Sequence, residues 1–219
     1  MVLKRPIVAF DLDGTLIDSV VDLGQALNAA LLEQGLLPFD MPSVRGFVGR
    51  GARHLVLQAL TERSSPDRVD EALAAFQRHY ASGLLGATRP FAGIPEALAS
   101  LSADATLAVA TNKPGAFARA LVEALLPGRI AVVLGPDDAG ALKPDPKVLH
   151  VVGQRLGGPV ACFVGDSPID IETARNAGLP VVAVSWGLSP RAALLGADVV
   201  VDSPADLASA VAGLLSVRR

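Results

Sequence analysis

Apolar residues in this chain gather into short runs closed off by glycine, proline and acidic residues. Six runs read as strands, at residues 7–10, 106–110, 130–134, 160–164, 181–184 and 198–201. Most are followed by a stretch with helical periodicity, and strands alternating with helices specify a parallel sheet covered on both faces. One interval breaks the rhythm, because nearly a hundred residues separate the first candidate strand from the second. The pattern there predicts helices at residues 19–34, 43–47, 53–62, 66–85 and 95–101. The first four read as an inserted helical bundle, joined to the sheet through residues 14–17 and 86–90, where glycine and proline suit hinges and ordinary turns alike. The expected organisation is α/β: residues 1–16 and 87–219 form the sheet domain and residues 17–86 the helical insertion.

Composition narrows the function classes. A chain of 219 residues can bury a full core without covalent staples. Its one cysteine, Cys162, sits inside an apolar run, which excludes a disulfide framework and fits core filler in a reducing compartment. A net charge of -3, a pI near 5.6 and 4% aromatic residues supply no basic stripe for nucleic acid. Hydrophobic residues make up 51% of the chain, yet charges and glycines interrupt every run before the roughly 18 residues of a membrane span. Met1 to Arg5 lead straight into the first strand without the pattern of a signal peptide, so a cytoplasmic location is expected.

Candidate chemistry lies at strand ends. The first strand closes on Phe10-Asp11-Leu12-Asp13-Gly14-Thr15-Leu16, with two carboxylates two residues apart and on one side of an extended chain. Crowded carboxylates call for a cation or a proton, and Gly14 lets the backbone turn sharply toward a ligand. A hard cation such as magnesium fits oxygen ligands and leaves room for phosphate oxygens. The second strand ends in Thr111-Asn112-Lys113-Pro114, a hydroxyl, an amide and free N–H groups ahead of a helix; these parts bind phosphate and also simply start helices. After the third strand, Pro144 restricts Lys143 to extended backbone, from which its ammonium could offset phosphoryl charge or merely solvate the surface. The fourth strand ends in Gly165-Asp166-Ser167-Pro168-Ile169-Asp170. Asp166 is there a third acidic metal-site residue, while Asp170 reads equally as support for the site or as half of a capping box with Ser167. All four sites fall at the carboxyl ends of strands, the ligand-binding edge of an open α/β sheet. If the first strand lies between the second and the fourth, Asp11, Asp13, Thr111 and Asp166 meet in one crevice.

These motifs, in this order and over nearly the whole chain, resemble the phosphatase branch of the haloacid dehalogenase superfamily. The resemblance implies a Rossmann-like core with the first strand central and a helical cap inserted after it. It makes Asp11 the nucleophile that accepts the phosphoryl group, and Asp13 the acid that protonates the leaving alkoxide and then the base that activates water. It implies magnesium held by the Asp11 carboxylate, the Asp13 backbone carbonyl and Asp166, with Asp170 supporting them. Thr111, Lys143, Gly14 and Asn112 are then expected around the phosphoryl group. Within the superfamily, Asp11 to Ser19, Phe47 to Ala52, Thr111 to Pro114 and Phe163 to Asp170 are most similar to phosphoglycolate phosphatases. Sugar-phosphate and pyrophosphate hydrolases share the first and last of these segments and remain alternatives, as does a phosphosugar mutase. The implied partner is a small phosphomonoester, acted on by a monomer or homodimer.

The cap is expected to close over the site, with Arg50, and Arg53 beyond it, either meeting a substrate carboxylate or lying solvated at a helix end. No lysine occurs between Lys4 and Lys113, which counts against the phosphonate hydrolases and mutases that place a lysine on the cap. A phospho-receiver signalling domain shares acids, hydroxyl and lysine but lacks a large insertion and the Asp13-Gly14-Thr15 run. A dinucleotide-binding protein would need a glycine-rich turn after the first strand. His54, His79 and His150 lack metal-ligand spacing, and Trp186 reads as a packing residue.

Overall fold

The computed structural model describes residues 5–216. Met1 to Lys4, on which the expectation about the N-terminal leader mostly rests, lie outside the described residues. In chain order the elements are β1 (Ile7–Phe10), β2 (Ile17–Asp18), α1 (Val20–Glu33), α2 (Met41–Phe47), α3 (Ala52–Glu62), α4 (Val69–Gly83), β3 (Arg89–Pro90) and α5 (Ile94–Leu101). There follow β4 (Thr106–Ala110), α6 (Gly115–Leu125), β5 (Val132–Leu134), α7 (Pro136–Ala139), α8 (Lys147–Leu156), β6 (Val160–Gly165), α9 (Pro168–Asn176), β7 (Val181–Val184), β8 (Val199–Val201) and α10 (Leu207–Ser216).

The six-stranded sheet is parallel, in the order β5-β4-β1-β6-β7-β8. β1 is therefore flanked by β4 and β6, and all four of its residues are buried. Valine and isoleucine fill the strands because a sheet covered on both faces has no solvent side. One face packs Val8, Phe10, Leu107, Val109 and Val164 against α5, α6 and α10. The other packs Ala9, Ala108, Phe163 and Val181 against α8 and α9. Two strands start later than their apolar runs, at Val132 and Val199, although Ala131 N and Asp198 N already donate to Leu107 O and Val181 O of the neighbouring strands.

Helices α1 to α4 form a separate cluster around Leu27, Leu31, Val56, Leu60, Phe76 and Tyr80, the apolar stripes of amphipathic helices turned toward one another. The stretch expected as one helix from Pro66 begins instead with a single tight turn, Pro66–Arg68, before α4. α2 starts earlier than its periodicity indicated, since Asp40 accepts from the Ser43 amide at 3.0 Å and caps it. The outgoing and returning connections pair antiparallel as β2 and β3, with Ile17 opposite Pro90 and Asp18 opposite Arg89. Asp22, buried in the first turn of α1, accepts from Ala87 N (2.8 Å), Thr88 N (2.8 Å) and Thr88 Oγ1 (2.6 Å), fixing the return connection. Among the described residues, no helix is long and apolar enough to cross a membrane.

Candidate active site

The tip of β1 is locked before any function is asked of it. Asp11 N donates to Val164 O at 2.8 Å, and the next residues wind into a tight loop in which Leu16 N and Ile17 N both return to Leu12 O. Gly14 takes φ +86°, and a β-carbon there would stand 2.7 Å from Asp166 Cγ and 2.8 Å from Leu188 Cγ. Only glycine lets this backbone lie so close to the Asp166 carboxylate. Trp186 donates its indole N–H to Thr15 O at 3.1 Å, so it braces the loop as well as packing against the core.

Asp11, Asp166 and Asp170 converge beneath the loop, all buried, each with a carboxylate oxygen within 4.8 Å of the others. Lys143 Nζ lies 2.7 Å from Asp11 Oδ1 and 2.7 Å from Asp170 Oδ1. Asp166 is held by Leu188 N on Oδ2 at 2.6 Å and by Thr15 Oγ1 on Oδ1 at 3.3 Å. Asp170 does both of the jobs the sequence left open. Its Oδ2 closes the capping box of α9 with Ser167 (Oγ at 2.5 Å) and accepts from Asp166 N (3.2 Å), while its Oδ1 faces Lys143.

Electrostatically, this corner carries more negative charge than its protein partners balance. Burial, opposed by Lys143 and reinforced by Asp170, pushes the Asp11 carboxyl up to about 6. Burial, with Asp170 and Asp11 nearby, raises Asp166 well above the usual carboxylate range. Burial works against the Lys143 ammonium, yet Asp11 and Asp170 hold its pKa above the ordinary lysine value. Three carboxylates thus share one ammonium, which lies 2.7 Å from Asp11 Oδ1 and 2.7 Å from Asp170 Oδ1. Buried carboxylates whose charge a single ammonium does not balance, in a set of hard oxygen atoms, fit a divalent cation. Asp11, Asp166 and Asp170 together form the cluster that could hold it.

Asp13 faces the other way, into the cavity between sheet and helices. Its Oδ2 is 2.9 Å from Lys113 Nζ, and its Oδ1 accepts from Ser19 Oγ at 2.5 Å. Lys113 also donates to Tyr80 OH on α4 at 2.8 Å. Burial disfavours the Lys113 charge, but Asp13 and Tyr80 outweigh it and raise the pKa. Sequence reasoning gave Lys113, Ser19 and Tyr80 no role. Lys113 sits in a helix-start motif, and its phenolic partner lies in another element, 33 positions upstream. Thr111, also on the cavity, accepts from Lys113 N at 3.2 Å, leaving its own hydroxyl hydrogen to donate.

Two expected contacts are arranged differently. Asn112 was expected on the phosphoryl group, but its amide is engaged with protein: Oδ1 accepts from Lys143 N at 2.7 Å, and Nδ2 reaches Lys143 O and Gly49 O, both at 3.2 Å. It holds Lys143 in place and touches the helical insertion. Arg50 is exposed and lies in an outer groove with Arg53, Gln77 and Leu142 rather than on the Asp11 and Asp13 cavity. Its neighbours Gly49 (φ +118°) and Gly51 (φ +92°) turn the loop so that backbone, not guanidinium, lines the site. Arg53 pairs with Asp70 at 2.5 Å on the surface. His79 pairs with Glu33 at 2.7 Å, none of the three histidines lines the cavity, and Cys162 is core.

Residues 8–184 match the haloacid dehalogenase-like hydrolase family. The chain belongs to that family. A phosphoglycolate phosphatase of Mesorhizobium japonicum is 41% identical over 196 residues, 86% of each chain. An N-acetylmuramic acid 6-phosphate phosphatase of Pseudomonas aeruginosa is 36% identical, over 91% of this chain and 92% of that one. The crystal structure of a candidate phosphoglycolate phosphatase from Lactobacillus delbrueckii subsp. bulgaricus superposes with a TM-score of 0.89 at 32% identity, over 95% of this chain and 99% of that one. The parallel sheet with its helical insert is the fold of this haloacid dehalogenase-like group, and the protein is one of its phosphatases, similar to those acting on phosphoglycolate.

Proposed function

We propose that this phosphatase is magnesium-dependent and hydrolyses 2-phosphoglycolate to glycolate and phosphate through an aspartyl-phosphate on Asp11. The observation that carries the reading is the division of labour at the tip of β1. Asp11 sits in the cation-poor corner with Lys143, whereas Asp13, two residues on, faces the cavity where a leaving group must sit.

An Asp11 oxygen attacks phosphorus, the ester P–O bond breaks, and the departing alkoxide takes a proton from Asp13, which must enter this step as the carboxylic acid and regains that proton from water in the next. Asp13, now ionised, accepts a proton from water as that water attacks phosphorus, which frees phosphate and restores Asp11. Two moderate steps replace one hard displacement. Lys143 offsets the charge of the phosphoryl oxygens, and Thr111 can donate to one of them. Asp11 and Asp166, with the Asp13 carbonyl, would hold magnesium, which would supply positive charge that lets a carboxylate approach a phosphate dianion. Residues 1–16 and 87–219 act in this reading as the catalytic domain, with 17–86 as the cap that excludes water.

The names of the relatives support phosphoglycolate, and a sugar phosphate is the second reading because one relative is named for such an ester. Phosphate release from phosphoglycolate, N-acetylmuramic acid 6-phosphate, other sugar phosphates and pyrophosphate, with magnesium and with EDTA, tests both. Phosphoglycolate should give the highest kcat/KM, EDTA should abolish turnover, and Asp11→Asn should fall to background. Normal turnover by Asp11→Asn would sink the mechanism, and a sugar phosphate outrunning phosphoglycolate would sink the substrate assignment.

A further inference from the structure

We infer that Lys113, assisted by Tyr80, is the residue that reads the leaving group, and that it selects esters whose alcohol carries a carboxylate. The inference rests on the phosphatase reading above and names a part that Arg50 does not fill.

Lys113 Nζ has three hydrogens, and the structure gives two of them partners, Asp13 Oδ2 at 2.9 Å and Tyr80 OH at 2.8 Å. The ammonium is buried and lies on the cavity, where it is the sole cationic side chain among the lining residues. Leu23, Val48, Leu55, Phe76 and Phe117 make up much of the surrounding wall and offer no donor. An anionic group on the alcohol side of the ester, once in this apolar space, would be left without a counter-charge anywhere except at the third Lys113 hydrogen. Tyr80 adds a second donor. It is stacked on Phe76 and edge-on to Phe117, so its hydroxyl is fixed, and burial pushes that phenol up to about 12, which keeps its hydrogen in place. Lys113 enters from the sheet and Tyr80 from α4, so the subsite is complete only when the two halves are together.

The test compares phosphoglycolate with ethyl phosphate, the two-carbon ester lacking the carboxylate, in the wild type, Lys113→Met, Lys113→Arg and Tyr80→Phe. Removing Lys113 also strips Asp13 of its partner and slows both esters, but that effect cancels in the ratio of their kcat/KM values. The ratio should fall on the order of 10- to 100-fold in Lys113→Met, carried mainly by KM for phosphoglycolate, and several-fold in Tyr80→Phe. Lys113→Arg should retain part of it. Equal losses on the two esters, with the ratio unchanged, would overturn the inference and assign Lys113 to Asp13 alone. If Lys113→Met does not fold, the ratios of Tyr80→Phe and Lys113→Arg decide. Wild type inactive on phosphoglycolate would refute the substrate assignment but not this subsite. The same ratio is then read on 3-phosphoglycerate against glycerol 3-phosphate, and no preference of the wild type for the acid in either pair overturns the inference.

Discussion

Asp22 should be worth several kilocalories per mole although it touches no reacting group. Its carboxylate accepts from Ala87 N, Thr88 N and Thr88 Oγ1, and Thr88 is fully buried. Replacement by alanine leaves the two Thr88 donors without partner or water, while Ala87, which is exposed, can turn to solvent. Stranding a buried donor costs about 1–3 kcal/mol, so Asp22→Ala should lose about 2–5 kcal/mol. At this chain length that corresponds to a fall in Tm of about 2–4 °C per kcal/mol, or roughly 4–20 °C in all. Asparagine keeps an acceptor where Oδ2 takes both Thr88 donors but gives up the charge, and should lose about 1–2 kcal/mol. Urea denaturation of both variants at neutral pH measures the difference, and amide exchange at Thr88 locates it. A loss below about 1 kcal/mol for alanine, or an asparagine variant as damaged as alanine, would refute the claim that these donors depend on this carboxylate.

Gly14→Ala should strain the β1 tip, because its positive φ costs about 1–2 kcal/mol with a side chain and the methyl meets Asp166. We expect weaker magnesium activation together with lower stability, and a variant titrating with magnesium like wild type would contradict the tight fit of Gly14 against Asp166. Asn112→Ala should lower kcat about tenfold on every ester with little change in KM, since it loosens Lys143 rather than removing a phosphate contact. A rise in KM with kcat intact would return Asn112 to the substrate.

The sheet was legible because its strands are apolar runs, and three of them end next to a candidate site residue. Phe10 precedes Asp11, Ala110 precedes Thr111, and Gly165 precedes Asp166. The centrality of β1 was implied by the family resemblance rather than by the apolar pattern, and the sheet order places it between β4 and β6. What could not be read is what depends on direction or on partners far along the chain. Asp22 looks like an ordinary helix-start acid, and only the returning connection, 65 positions later, shows what it holds. For Arg50 the sequence left a substrate contact and a solvated helix end equally open, and the exposed side chain lies between glycines of positive φ, off the Asp11 and Asp13 cavity. Ile17–Asp18 and Arg89–Pro90 are too short for any periodicity to reveal them as a paired ribbon. Arg45, which ties the helical insertion to the sheet domain through Gly187 O, has no motif around it.

The absence of lysine from the helical insertion carries a different meaning once the two ammonium groups are compared. Lys143 answers to Asp11 and Asp170 directly and to Asp166 across a short gap, so its single charge is divided and the corner stays open to a further cation. Lys113 answers to one carboxylate and one neutral phenol, and its third hydrogen is left for the cavity. Acids two residues apart on one strand end are thereby given unlike surroundings, which is what a nucleophile and a proton carrier require of otherwise identical groups. The insertion needs no ammonium of its own, because the sheet domain extends one to its face and the insertion contributes Tyr80 to receive it. In the proposed reaction, proton transfer at Asp13 and the contact between insertion and sheet domain would meet at a single side chain, Lys113, while phosphoryl transfer at Asp11 would be held by groups that all belong to the sheet domain.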